Sequence, residues 1–100
     1  MTTSISKIKV TDIASELSTR PVGIQARLKL IQALEEFESI EIDFMNRSLT
    51  PSFADECIGR LASFLGLDQF KSRVKLSNLT ESTKPLVKHV ILTRCSNANT

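Results

Sequence analysis

Three short segments in which apolar and charged residues alternate, each followed by a stretch with helical spacing, constrain this chain more than any other feature. Ser6 to Val10 sets Ile8 and Val10 against Lys7 and Lys9; Ile40 to Phe44 sets its apolar residues against Glu41 and Asp43; Lys71 to Leu76 sets Val74 and Leu76 against Lys71, Arg73 and Lys75. A period of two is that of a half-buried strand. Strand then helix, three times over, predicts an α/β fold built on a mainly parallel sheet with right-handed crossovers. Parallel strands covered on both faces read as continuous apolar runs, so charge along one face of all three predicts a two-layer domain with helices mostly on one side. Crossing always in the same direction gives the order first, second, third strand. The open face would then set Lys7, Lys9, Lys71, Arg73 and Lys75 around Glu41 and Asp43, in cross-strand pairs each contributing about 0.2 to 1 kcal/mol.

Between the strands, Asp12 offers an N-cap for a short turn or helix reaching Leu17. Ser18 to Gly23 is a break centred on Pro21, after which Ile24, Leu28, Ile31, Leu34 and Phe37 recur at three- and four-residue steps and predict a core-facing stripe. After the second strand, Thr50-Pro51 reads as an N-cap with proline at the first helical position, and Ser52 with Asp55 offers an alternative cap. Either start leads to a helix to Leu65 that buries Phe53, Cys57, Ile58, Leu61 and Phe64 or Leu65 and stops at Gly66. Asn78 to Thr83 reads as a turn and Lys84 to Arg94 as the last helix. The 100 residues form one domain, with a core from residue 5 to 95 and a frayed tail from Ser96 to Thr100.

Composition narrows the function. A net charge of +2, with 13 basic residues scattered among 11 acidic ones, gives no dominant footprint for nucleic acid or an anionic membrane. With no Trp or Tyr and most of the five Phe at positions that suit a core, no base-stacking platform is evident. No apolar run is long enough to span a bilayer and Met1 to Lys7 lacks a signal-peptide apolar region, so the expected location is cytoplasmic. Cys57 and Cys95 form no metal-ligand spacing and read as reduced thiols. Neither a metal nor another cofactor is expected. His89 stands alone on the last helix and reads as a half-buried packing residue.

The run Pro51-Ser52-Phe53-Ala54-Asp55-Glu56 with Gly59-Arg60-Leu61, together with Arg20-Pro21-Val22-Gly23 and Ile42-Asp43-Phe44, resembles the STAS-like proteins, small bacterial domains related to the anti-sigma-factor antagonist fold. The resemblance implies a STAS-like α/β domain that acts as a regulatory protein-interaction switch and not as an enzyme. Its implied partner is a histidine-kinase-like ATPase, with nucleotide belonging to that partner. In true anti-sigma-factor antagonists an Asp-Ser-Ser-Gly turn carries the phosphorylated serine. Counted from Asp43, that turn falls on Pro51-Ser52-Phe53-Ala54, so Ser52 matches the first serine and Phe53 stands at the usual acceptor.

The candidate residues for partner binding or phosphorylation are Arg20, Asp43, Arg47, Thr50, Ser52, Asp55 and Glu56. Ser52 or Thr50 is also explained as a helix cap, with Asp55 and Glu56 complementing the helix dipole. Arg20 either reaches Asp43 or the Asp55/Glu56 pair and holds the loop, the reading that the resemblance favours, or is an exposed residue before proline. Asp55 and Glu56 as an acid/base or metal pair are disfavoured, because adjacent helical residues point about 100° apart and no nucleophile or histidine accompanies them. The leading expectation is a docking surface at the 46–56 loop and helix start. The alternatives are a small-ligand or enzymatic site at the strand C-terminal edge among Asp43, Arg47, Ser52, Asp55 and Asn78, and a homo-oligomer formed through an open sheet edge.

Overall fold

A computed structural model describes residues 4–97 of the chain. Its three strands are β1 (Ile5–Lys9), β2 (Ser39–Asp43) and β3 (Val74–Ser77), parallel and in the order β1-β2-β3. The helices are α1 (Val10–Ile13), α2 (Arg20–Glu36), α3 (Pro51–Ala54), α4 (Arg60–Leu65), α5 (Leu67–Arg73) and α6 (Thr83–Asn97), with a π-helical turn, Asp55–Gly59, joining α3 to α4. Strand order, direction and the one-sided α/β layering follow the sequence pattern. Ile40, Ile42, Phe44 and Val74 are buried under the helices, whereas Lys7, Lys9 and Lys75 are exposed. Among the described residues no helix is long and apolar enough to cross a membrane.

The open face is less basic than its pattern suggested. In register, Glu41 lies between Lys7 and Lys75, and Asp43 pairs with Lys9. Lys7 Nζ stands 3.9 Å from Glu41 Oε2. Lys71 and Arg73 are not on this face, because the segment before β3 is helical. In α5, Phe70 is buried and Leu67 half-buried at a three-residue step, which anchors one helical turn onto the core. Arg73, the last residue of α5, donates to the Leu34 carbonyl in the last turn of α2 at 2.6 Å and to the Glu38 carbonyl just beyond that helix at 2.8 Å. A cation on the last carbonyls of a helix satisfies acceptors that lack intrahelical partners.

α2 differs from its expected orientation. Pro21 sits in its first turn and the helix begins at Arg20, so the break is a helix start and Gly23 is helical. The buried face is Gly23, Ala26, Leu30 and Leu34, while Leu28 of the expected stripe is 49% exposed. Apolar residues on α2 occupy more than one face, and the smallest of them decide which face goes inward. A Cβ on Gly23 would lie 3.0 Å from Glu56 Cβ and 3.3 Å from the Phe53 carbonyl, so a side-chain-free position lets α2 close onto α3 and the π turn. Phe64 is likewise 65% exposed, and Leu61, Ala62 and Ile58 fill the core in its place.

Three smaller expectations also change. α1 is one turn starting at Val10, with Lys9 and not Asp12 at its N-cap position. His89 is exposed on α6, between the buried Val87 and Val90. α6 continues to Asn97, so the first residues of the expected tail are helical, and the rest, 98–100, lies outside the described residues.

Candidate functional site

The chain leaves β2 through an unusual piece of backbone. Met45 and Asn46 both have positive φ, 56° and 60°, and Asn78, which follows β3, has φ 56°. Asparagine tolerates this left-handed region, but for methionine it costs on the order of 1 kcal/mol. Surrounding bonds hold it in place. The Asp43 carboxylate accepts from the Met45 amide at 2.8 Å and from Asn78 Nδ2 at 2.8 Å, while the Asn46 amide donates to the Asn78 carbonyl at 2.9 Å. These hydrogen bonds, led by Asn78, hold the Asp43 carboxyl below its usual range, with Lys7 and Lys9 adding attraction. The result is a fixed rim at the C-terminal edge of the sheet. On it Met45, Asn46, Arg47 and Ser48 are exposed, while Phe44 and Leu49 are buried and anchor both ends.

The rim runs into α3. Thr50 is the cap: its Oγ1 accepts from the Phe53 amide at 3.2 Å and donates to the Ser18 carbonyl at 2.8 Å, and Pro51 takes the first helical position. Ser52 is therefore not the cap. It is half-buried in the first turn. The second wall comes from the α1–α2 connection, where the Glu16 carboxylate accepts from the amides of Ser18 and Thr19 at 2.7 and 3.0 Å. Between the two walls lies a cavity of about 630 Å³, lined among others by Thr11, Ser15, Glu16, Arg47 and Thr50.

The acidic pair lies elsewhere, inside a network of arginines. Asp55 accepts from Arg94 of α6 at two points, 2.8 and 2.6 Å, and from Arg20 at 3.0 Å. Glu56, buried, accepts from Arg20 at 3.0 Å and meets Arg27 at 3.4 Å and Arg60 at 3.2 Å. The two carboxylates share Arg20 and otherwise turn toward different arginines, Asp55 to Arg94 and Glu56 to Arg27 and Arg60. The Arg94 guanidinium holds the Asp55 carboxyl down at about 2, with Arg20 contributing less. The π turn takes part as well. Its closing amide, Arg60, bonds to the Asp55 carbonyl, and Arg27 donates to the Glu56 carbonyl at 2.7 Å. Gly59 makes room for the α6 contact: a Cβ there would meet Arg94 Cγ, Asp55 Oδ1 and the Val90 carbonyl, each at 3.2 Å.

The seven candidate residues thus fall into two groups. Asp43, Arg47, Thr50 and Ser52 belong to the rim and the helix start, whereas Arg20, Asp55 and Glu56 belong to the ion network. Arg20 reaches the acidic pair, and Asp43 is held by Asn78 instead. The proposed joint site of Asp43, Arg47, Ser52, Asp55 and Asn78 is divided, because both acids of the helix are turned toward arginines. Arg27, Arg60 and Arg94 are not among the candidate residues read from the sequence, although Arg60 belongs to the Gly59-Arg60-Leu61 run of the resemblance. Two were legible: Arg60 follows Glu56 by four residues, and Arg27 follows Arg20 by seven, close to two helical turns on one face. Arg94 arrives from a distant helix, and no local pattern marks it.

One-sided parallel layering and a helix opening on Pro51-Ser52-Phe53-Ala54-Asp55-Glu56 accord with the STAS-like resemblance read from the sequence. The chain belongs to the STAS-like domain family of unknown function (DUF4325), whose family model matches residues 23–84. That span contains the rim, Asp55, Glu56, Arg27 and Arg60; Arg20 and Arg94 lie outside it. No curated protein matches the chain, and no solved structure does.

Proposed function

We propose that this domain is a regulatory protein-interaction module without catalysis of its own, docking a partner protein through the rim from Met45 to Ser52. The observation that carries this reading is the rim's construction: left-handed backbone at Met45 and Asn46, locked by Asp43 and Asn78, presents a row of exposed side chains in one fixed shape. Strained backbone held by its surroundings is typical of sites that must be preorganised. The docking segment is shorter than the 46–56 span read from sequence, because Asp55 and Glu56 are engaged with arginines. The same engagement argues against acid/base work, since neither carboxylate faces an open substrate position with a free proton site.

The partner class implied by the family resemblance is a histidine-kinase-like ATPase, and Ser52 is the residue through which such a partner would act. A phosphate there would add about −1.5 to −2 charge at the start of α3. Asp55 and Glu56 would oppose it less than their sequence positions suggest, because arginines already neutralise them. The test uses immobilised wild type, Arg47→Glu and Ser52→Glu in native lysate, followed by reconstitution of the complex with the retained protein. A protein retained by wild type and lost by both variants supports the reading; equal retention on all three baits refutes it. A second reading has one observation in its favour, the cavity of about 630 Å³ beside Arg47 and Thr50, a volume suited to a small ligand. A thermal shift of the purified domain with nucleotides, abolished by Arg47→Ala, would move the assignment there.

A further inference from the structure

Away from the rim, partway down α2 and α4, two large apolar side chains that the core does not use stand next to one another's helices. Leu28 on α2 is 49% exposed and Phe64 on α4 is 65% exposed. With the half-buried Ile31 they line a groove of about 360 Å³ whose other walls are Arg27, Arg60 and Arg94. Single exposed apolar residues are ordinary, but an aromatic and two aliphatic side chains sharing one concave seam form a contiguous patch. The charges around it are unbalanced. Four guanidinium groups, those of Arg20, Arg27, Arg60 and Arg94, surround only two carboxylates, Asp55 and Glu56, so the network keeps two uncompensated positive charges. Arg27 and Arg60 share one oxygen, Glu56 Oε2, at 3.4 and 3.2 Å, and Arg27 also donates to the Glu56 carbonyl at 2.7 Å, which leaves N–H donors on both guanidinium groups for another acceptor.

We infer that this seam is a second docking surface, separate from the rim, and that it takes an acidic amphipathic segment of a partner protein: an apolar side chain seated between Leu28 and Phe64, with carboxylates beside it on Arg27 and Arg60. Charge complementarity selects the occupant. Exposed aromatic and arginine side chains in one pocket are the residue types that dominate protein interfaces, and arginine binds carboxylates through paired N–H bonds. A groove between two helices matches the row of side chains along a partner helix better than the flat surface of a bilayer. The rim could fail as a docking site and this surface would stand, since no residue is shared between them.

The test selects a displayed random-peptide library on the immobilised full chain. Enriched sequences are expected to place Asp or Glu within one helical turn of Leu, Ile or Phe, and a synthetic peptide of that sequence should bind at least tenfold more weakly to the Leu28→Gln/Phe64→Ser double variant and to Arg60→Glu. Arg47→Glu should bind it as wild type does, and binding should weaken as salt rises. Should Arg60→Glu lose its fold with a Glu56 partner gone, the double variant carries the test alone, its two sites being at the surface. Four results would each overturn the inference: enrichment without acidic residues, undiminished binding to the double variant, seam-dependent binding to anionic phosphatidylglycerol vesicles in place of peptide, or a wild-type dimer that the double variant converts to monomer.

Discussion

Replacing Asp55 by asparagine removes one charge from the arginine network while keeping the side-chain shape, and its cost can be worked from the geometry. The Arg94 guanidinium, bonded at 2.8 and 2.6 Å, and then Arg20 at 3.0 Å, bring the Asp55 carboxyl from an ordinary 3.8 to about 2. That difference corresponds to at most about 2 kcal/mol of stability. Arg20 is half exposed, so solvent screens part of the attraction and the expected loss is on the order of 1 to 2 kcal/mol. Because the folded carboxyl is the stronger acid, the unfolded chain binds more protons in the acid range and stability rises with pH. The contribution of Asp55 is therefore complete above its unfolded value of 3.8 and is lost as pH falls through about 2. Urea denaturation followed by circular dichroism, on wild type and Asp55→Asn from neutral pH downward, reads both quantities. The variant should unfold at lower urea near neutrality, and the two curves should converge in the acid window. A difference that persists unchanged through that window, or none at neutrality, would refute the reasoning.

Three further outcomes follow from the packing. Gly23→Ala should destabilise by about 1 to 2 kcal/mol despite alanine's better helix propensity, since its Cβ would meet Glu56 Cβ at 3.0 Å and the Phe53 carbonyl at 3.3 Å; a fall of several degrees in Tm checks it, and a rise would contradict the close approach. Thr50→Ala should cost about 1 to 2 kcal/mol because it removes both the cap to Phe53 and the bond to Ser18, whereas Ser52→Ala should stay within about 0.5 kcal/mol; paired urea curves separate them, and reversed magnitudes would make Ser52 the cap. Burial pushes the Cys57 thiol up to about 12, so iodoacetamide at mildly alkaline pH should leave it unmodified in the native protein and label it in concentrated urea, as read by peptide mass spectrometry.

Much of the fold was legible because its signals were local. Alternation in Lys7/Ile8/Lys9 and Ile40/Ile42 set strand faces, although Val10 of the first pattern opens α1 instead, charge on the opposite faces set the one-sided cover, and Thr50-Pro51 and Gly66 marked the ends of the helical run from α3 to α4. The family resemblance was equally readable, because its most specific part, Pro51 to Glu56, lay in one short run after β2. What escaped was decided by contacts between distant segments. α2 is apolar on several faces, and the face that carries Gly23 close against Glu56, with Ala26 and Leu30, goes inward while Leu28 stays outward. The basic alternation of Lys71, Arg73 and Lys75 imitates a strand, yet Arg73 is needed at the end of α2 and Phe70 in the core. At the site, the acids and Arg20 could be named from sequence. Their destination could not, because Arg94 reaches Asp55 across 39 positions of chain.

The measurement that bears most directly on the docking role is hydrogen–deuterium exchange on the domain alone and in complex with the protein that wild type retains and Arg47→Glu does not. The account predicts slowed exchange confined to the peptides covering 44–52 and the adjoining turn after β3, with the open face of the sheet unchanged. Protection spread along the edge of β1 or β3, with the rim exchanging as in the free domain, would contradict it and assign partner binding to strand addition.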